Sequence, residues 1–232
     1  MTQTFQPTAL ITGASKGLGR ALAEALTERG WRLVVDARRP STLGDELPGA
    51  VVVAGDVSDP AHRRDLAAAV DRLGRLDLLV NNASDLGHSP LPPLADYPLD
   101  VLRRVYDVDV LAPIALTQAV IGKLRATRGV VLNVSSDAAV EAYAGWGGYG
   151  SAKAALDHLS AVLAVEEPEL SVYSVDPGDM RTDMHQAAFP GEDISDRPEP
   201  HTVVPALLRL LDVRPPSGRY RAAELSVAEV VG

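Results

Sequence analysis

The sequence predicts an α/β domain built as a doubly wound, mostly parallel β-sheet with helices on both faces. Three observations predict it. Short apolar runs alternate with helix-length amphipathic stretches along most of the chain, the pattern of successive β–α units. The runs are continuously apolar, as strands covered on both faces are. A glycine-rich segment, Thr12-Gly13-Ala14-Ser15-Lys16-Gly17-Leu18-Gly19, lies between the first run and the first helical stretch, where such folds receive a phosphate-bearing ligand.

The strand candidates are Thr8–Thr12, Leu33–Val35, Val51–Ala54, Leu76–Val80, Val130–Val134 and Leu170–Val175. The first helix is expected from about Gly17 to Gly30, because Leu18, Leu22, Ala25 and Leu26 recur at helical spacing and Gly30 suits a C-terminal cap. Asp59-Pro60 reads as an N-cap and first-turn pair opening a helix through Leu73. Leu99–Leu124 is long enough for one extended helix with a bend at Pro113. From Asp176 to Pro200 the periodicity fades into acidic residues and prolines, which predicts a long loop containing at most a short helix. A helical pattern resumes over Thr202–Leu211, and Tyr220–Leu225 is expected as a last strand. No repeat or interdomain linker interrupts the chain, so residues 1–232 are expected to form one domain, with a substrate loop at about 179–201.

Composition removes several function classes. The chain has 232 residues and no cysteine, so disulfides, thiolate nucleophiles and cysteine metal sites are out, and a reducing, cytoplasmic location is expected. A formal charge of −9, with no basic cluster longer than Arg38-Arg39 or Arg63-Arg64, argues against nucleic acid as a partner. Met1–Pro7 lacks the charged and apolar regions of a signal peptide, and no uninterrupted apolar run approaches 20 residues, so no membrane association is expected. The five histidines show no ligand spacing and are read as surface or structural; no metal is expected.

A glycine-rich turn alone also fits an ordinary tight turn, and its spacing here, T-G-x-x-x-G-x-G, departs from the common G-x-G-x-x-G. The rest of the chain gives it context. Asn81-Asn82-Ala83 follows the fourth run, Ser136 follows Asn133-Val134-Ser135, and Tyr149-Gly-Ser-Ala-Lys153 comes next, with Pro177-Gly178 and Thr182 after the sixth run. Tyr-x-x-x-Lys in isolation fits equally well a buried tyrosine beside a solvated lysine, but five elements in this order resemble the short-chain dehydrogenase/reductase family. The resemblance is close from about Thr8 to Thr182 and covers the remainder in outline.

The resemblance implies a Rossmann-type fold, a nicotinamide dinucleotide and chemistry between a carbonyl and an alcohol. It assigns cofactor contacts to Gly13, Ser15, Lys16, Gly17, Leu18, Gly19, Asp56, Val57, Asn82, Ala83, Pro177, Gly178 and Thr182, and to Tyr149 and Lys153, which act at both sites. At the end of the second strand the family's NAD-type aspartate aligns with Ala37, whereas Arg38 falls where NADP-type members carry arginine. NADP(H) is therefore favoured. NAD(H) stays open if the strand end is bulged so that Asp36, expected on the opposite face, turns inward.

Catalysis is assigned to Ser136, Tyr149, Lys153 and Asp109. A phenol titrates near pH ~10, and Lys153, four residues on along a helix, supplies charge favouring tyrosinate. Ser136 is expected to hydrogen-bond the substrate oxygen, with Ser135 structural. Two departures stand out. Asp109 occupies the place of a family asparagine in a water-mediated relay; a carboxylate there can hold a water or pair directly with Lys153, so a shifted pH profile is expected. Ser84 replaces a glycine and is expected to crowd the nicotinamide side. Tyr143 and Trp146 are expected either as an aromatic wall of the substrate pocket or as simple packing, and the acidic run Gly191–Glu199 disfavours an anionic substrate if it closes over the site. The expected partner is a small neutral carbonyl or alcohol, and the resemblance implies a homodimer or homotetramer. Two other readings stay open: a non-catalytic NADP(H) sensor on the same fold, or a different reaction such as epimerisation, dehydration, or imine or enone reduction.

Overall fold

The computed structural model describes residues 6–38 and 43–226. Arg39 of the basic pair and the first five residues of the N-terminal segment lie outside the described residues.

Seven strands form one parallel sheet in the order β3-β2-β1-β4-β5-β6-β7. They are β1 (Thr8–Ile11), β2 (Arg32–Ala37), β3 (Val51–Ala54), β4 (Leu78–Asn81), β5 (Val130–Val134), β6 (Ser171–Asp176) and β7 (Gly218–Arg221). Registers such as Ile11↔Val35, Ile11↔Val80 and Asn81↔Asn133 keep the strand ends level. All four β1 side chains are buried, and the three apolar ones divide between two cores with the two-residue period of a strand. Ala9 and Ile11 pack with Leu22 and Leu26 of α1 (Gly17–Glu28) and with Leu207 and Leu210 of α8 (Val204–Val213). Leu10 packs on the other face with Leu66 and Val70 of α3 (Pro60–Leu73) and with Leu116 and Val120 of α5 (Ala112–Thr127). The predicted doubly wound sheet is what forms. The chain reverses its winding direction between β1 and β4, and that switch point opens a crevice at the carboxyl ends of the strands.

Local signals place the helices. The Asp59 side chain accepts from Ala61 N, Pro60 occupies the first turn, and Gly74 closes α3 at φ 77°. Gly30, at φ 76°, follows the end of α1. Leu99–Thr127 is not one regular helix: α4 (Leu99–Tyr106) runs into a π-turn over Asp107–Leu111 before α5 begins. The irregularity precedes Pro113, which has no N–H to give the preceding turn, so the expected bend is displaced to the residues ahead of it. By length and apolar character this 29-residue run could cross a membrane, yet half of its most apolar 18-residue stretch is buried, with α5 lying against α3, β4 and β5. Between β2 and β3 a short α2 (Leu43–Glu46) was not legible in the sequence. The long segment after β6 carries α7 (Asp183–Ala188). The last expected strand is earlier and shorter than predicted: β7 pairs with β6 and ends at Arg221, after which Ala222–Ser226, rich in good helix formers, turns into α9.

Candidate active site

A cavity of about 450 Å³ occupies the crevice, running from the end of β2 to α7, a volume suited to a small-molecule site. Its floor is the glycine-rich turn. Gly13 and Gly17 have φ of 67° and 59°, the left-handed region that side chains disfavour. Gly19 is needed for a different reason: a Cβ there would lie 2.3 Å from Asn82 Nδ2 and 2.7 Å from Gly13 O. Asn82 staples the turn, donating to the carbonyls of Thr12 (2.9 Å) and Gly13 (3.1 Å), while Asn82 N and Ala83 N donate to Thr12 Oγ. Lys16, the N-cap of α1, makes no side-chain capping bond, so the helix's first N–H groups are left to the cavity. An open N-terminus behind a cradle that a Cβ would fill fits a dinucleotide pyrophosphate. Gly19→Ala is expected to displace Asn82, lowering the melting temperature by several degrees and weakening dinucleotide binding; calorimetry and a binding titration check both.

Gly13, Ser15, Lys16, Gly17, Leu18, Arg38, Asp56, Val57, Asn82, Ala83, Pro177, Gly178 and Thr182 all line the cavity, as do Ser136, Tyr149 and Lys153. Gly19 does not; it acts from behind the turn, through the close approach just described. Asp109 also stands behind the lining, screened by Ser84.

At the end of β2 no bulge intervenes: Val34–Ala37 pair in unbroken register with Val51–Ala54. Asp36 nevertheless reaches the cavity wall, against the expectation that it faces away. It is buried, with one carboxylate oxygen accepting from Gly13 N and the other 3.0 Å from His62 Nε2. His62 is thus a core residue holding Asp36 under the turn. Ala37 is buried and Arg38 is exposed at the rim. Burial pushes the Asp56 carboxyl up, but hydrogen bonds from Ser58 and the charges of Arg104 and Arg38 outweigh it and hold it below the usual range. Arg104 bridges two loops, reaching Asp85 at 2.7 Å and Asp56 at 3.7 Å.

At the other end α6 (Gly147–Glu166) carries Tyr149 and Lys153 one turn apart, both buried, with Lys153 Nζ 5.4 Å from the Tyr149 ring centre. Lys153 donates to Val134 O (3.0 Å) and pairs directly with Asp109 at 3.0 Å; the two side chains are 2% and 0% exposed. The π-turn aims Asp109 here, in keeping with the frequent placement of such turns at functional sites. Ser84 does not simply crowd the site: its hydroxyl donates to Asp109, whose other oxygen accepts from Asp85 N at 3.0 Å. Burial opposes the Lys153 charge, but Asp109 and Tyr149 outweigh it and raise its pKa. For Tyr149, burial raises the pKa, Lys153 opposes, and Asp109 raises it again; hydrogen bonding with Ser84 and Ser136 lowers it, and the net direction is upward.

Ser136 Oγ accepts from Ala138 N (3.1 Å) and donates to Asp137 Oδ1 (2.9 Å). Ser135 is buried, its hydroxyl without a hydrogen-bond partner among the described residues. Trp146 lines the cavity, 5.8 Å from the Tyr149 ring and 6.0 Å from Phe189. Tyr143 stands behind Trp146, so only half of the expected aromatic wall faces the cavity. Of the acidic run Gly191–Glu199, only Glu199 does.

Together these features define a dinucleotide-binding oxidoreductase site: an open helix N-terminus at one end of a crevice and a Ser–Tyr–Lys cluster at the other. A family model, short chain dehydrogenase, matches residues 7–193. Sepiapterin reductase of Mus musculus is 35% identical over 77% of this chain and 76% of its own length. L-xylulose reductase of Bos taurus is 36% identical over 78% of this chain and 75% of its own. A short chain dehydrogenase from Shigella flexneri, solved complexed with NADP, superposes with a TM-score of 0.87 at 28% identity, over 94% of this chain and 97% of that one. The chain belongs to the short-chain dehydrogenase/reductase family and is an oxidoreductase.

Proposed function

We propose that the protein is an NADP(H)-dependent oxidoreductase that interconverts a carbonyl and an alcohol on a small or medium organic substrate, with Tyr149 as general acid and base. The observation that carries this is the buried Tyr149 hydroxyl set among Ser84, Ser136 and Lys153 at the α6 end of the cavity. A bound nicotinamide supplies or accepts the hydride. The protein handles the proton: Ser136 holds the substrate oxygen, and Tyr149 gives its phenolic proton to that oxygen as negative charge develops there. Lys153, anchored by Val134 O and Asp109, is positioned to hold the nicotinamide ribose and to stabilise the tyrosinate left behind. Burial and Asp109 hold the Tyr149 phenol above its usual range, which suits it to donate its proton when the reaction runs toward reduction. The test is product analysis: incubation of an aryl ketone with NADPH yields the corresponding alcohol, and failure to form alcohol from any ketone or aldehyde overturns the proposal.

The choice of NADP(H) rests on Arg38 at the end of β2, and on Asp36, whose two oxygens are already engaged by Gly13 N and His62; Lys16 also lines the cavity, with its ammonium on Asp183 of α7 at 2.6 Å. The NADP complex of the Shigella flexneri relative supports it. Arg38→Asp is expected to raise the KM for NADPH about tenfold or more while affecting NADH far less; equal changes for both cofactors in initial-rate kinetics contradict the assignment. The segment 179–201 serves as the substrate loop, its residues Asp179, Met184, His185, Ala188 and Glu199 bordering the cavity. Exposed Leu111, Val162 and Val165 on the π-turn and α6 are consistent with a subunit contact, and light scattering is expected to find a dimer or tetramer.

A further inference from the structure

Asp137 follows Ser136 directly and opens a short helical turn over Asp137–Ala139. It is half-buried and lines the cavity. Its Oδ1 accepts from Ser136 Oγ (2.9 Å) and Ala138 N (2.8 Å), and its Oδ2 accepts from Tyr143 Oη (3.0 Å). The other carboxylates at this end are matched by cations: Asp85 by Arg104 (2.7 Å), Asp179 by Arg197 (3.5 Å), and Glu199 by Arg181. Among the described residues no cation pairs with Asp137. A carboxylate offers about four acceptor sites, and with three donors placed on it Asp137 keeps acceptor capacity to spare.

Ser136 has one proton, and it lies on Asp137. To donate to a substrate carbonyl oxygen, Ser136 must withdraw that proton, and Asp137 then loses a donor. A plain ketone returns nothing. A substrate with a hydroxyl or amine on the carbon next to the carbonyl returns a donor at the required place, because two such neighbouring atoms are spaced much like the hydrogen-bonded Ser136–Asp137 oxygens. We propose that Asp137 is a specificity-determining residue that selects carbonyl substrates bearing an α-hydroxyl or α-amino group. The inference rests on the reading of Ser136 as the holder of the carbonyl oxygen. Across the cavity Leu86, Trp146, Met184 and Ala188 form an apolar wall that receives the body of the molecule. The Asp137 charge rejects an α-carboxylate at the same position.

The test compares α-hydroxyacetophenone with α-methoxyacetophenone, similar in shape but lacking the donor. Two readouts are taken: kcat/KM with NADPH, and dissociation constants by calorimetry in the presence of NADP⁺, where ketone is not reduced. The hydroxyl compound is expected to be favoured about tenfold or more in both, the scale of a hydrogen bond to a charged acceptor. Asp137→Ala is expected to bring the ratio to about one, and the near-isosteric Asp137→Asn, which keeps an acceptor without the charge, to an intermediate value. A wild-type ratio near one, or a ratio that survives both substitutions, overturns the proposal. Absence of turnover with either ketone counts against the proposed function, and the calorimetric ratio then still decides the role of Asp137.

Discussion

Tyr149→Phe is expected to lower kcat for ketone reduction by about a thousandfold while leaving NADPH binding within about twofold of wild type. General acid catalysis contributes roughly 10²–10⁴ in rate, and the substitution removes only the hydroxyl that carries the proton. The ring remains, and with it the edge contact to Trp146 and the approach of Lys153, so fold and cofactor cleft should be retained. Steady-state kinetics paired with a fluorescence titration of NADPH checks both halves. Undiminished turnover would place the proton donor elsewhere.

The second large effect concerns Asp109. Its carboxylate is buried against Lys153 and raises the pKa of Tyr149. With Tyr149 as the proposed proton donor, reduction needs the phenol protonated, so activity is expected to hold as pH rises and to fall when Tyr149 ionises; a raised pKa moves that loss to higher pH. Asp109→Asn removes the negative charge and leaves the Lys153 field less opposed. The alkaline limb of kcat/KM for reduction is then expected to move down by about one pH unit, and oxidation, which needs the tyrosinate, to improve near neutrality. An unchanged profile would remove Asp109 from the proton chemistry. Asp109→Ala has a different consequence: it strands the Lys153 ammonium in a dry site, with an expected cost of roughly 3–5 kcal/mol and a melting temperature lower by about 10 °C.

The fold was legible because each of its signals is local. Continuous apolar runs fix strands covered on both faces, and Asp59-Pro60 with Gly74 brackets α3 at the predicted ends. The order of the glycine turn, Asn82, Ser136, Tyr149 and Lys153 was equally plain, since each sits at a strand end or on one helix face. Most contacts between distant segments were not, although the direct Asp109–Lys153 pair was one of the two arrangements expected there. Asp36 on its strand gave no sign that it would hold Gly13 N with His62 beneath it, because that depends on how α3 lies against β2. The two departures at Ser84 and Asp109 were visible singly, but only the π-turn brings them into one hydrogen-bonded unit with Lys153. Asp137 was hidden by its ordinary position: an acidic residue after a serine is unremarkable until the turn directs both side chains at each other.

The most direct test of the account is the initial rate of cofactor oxidation by the wild-type protein with NADPH and with NADH, measured in parallel across a panel of ketones and aldehydes. Substrate-dependent consumption of NADPH in preference to NADH, matched by alcohol formed, is the predicted result. Tight NADPH binding without consumption across the panel would contradict it and mark the protein as a binder of the cofactor rather than a carbonyl reductase.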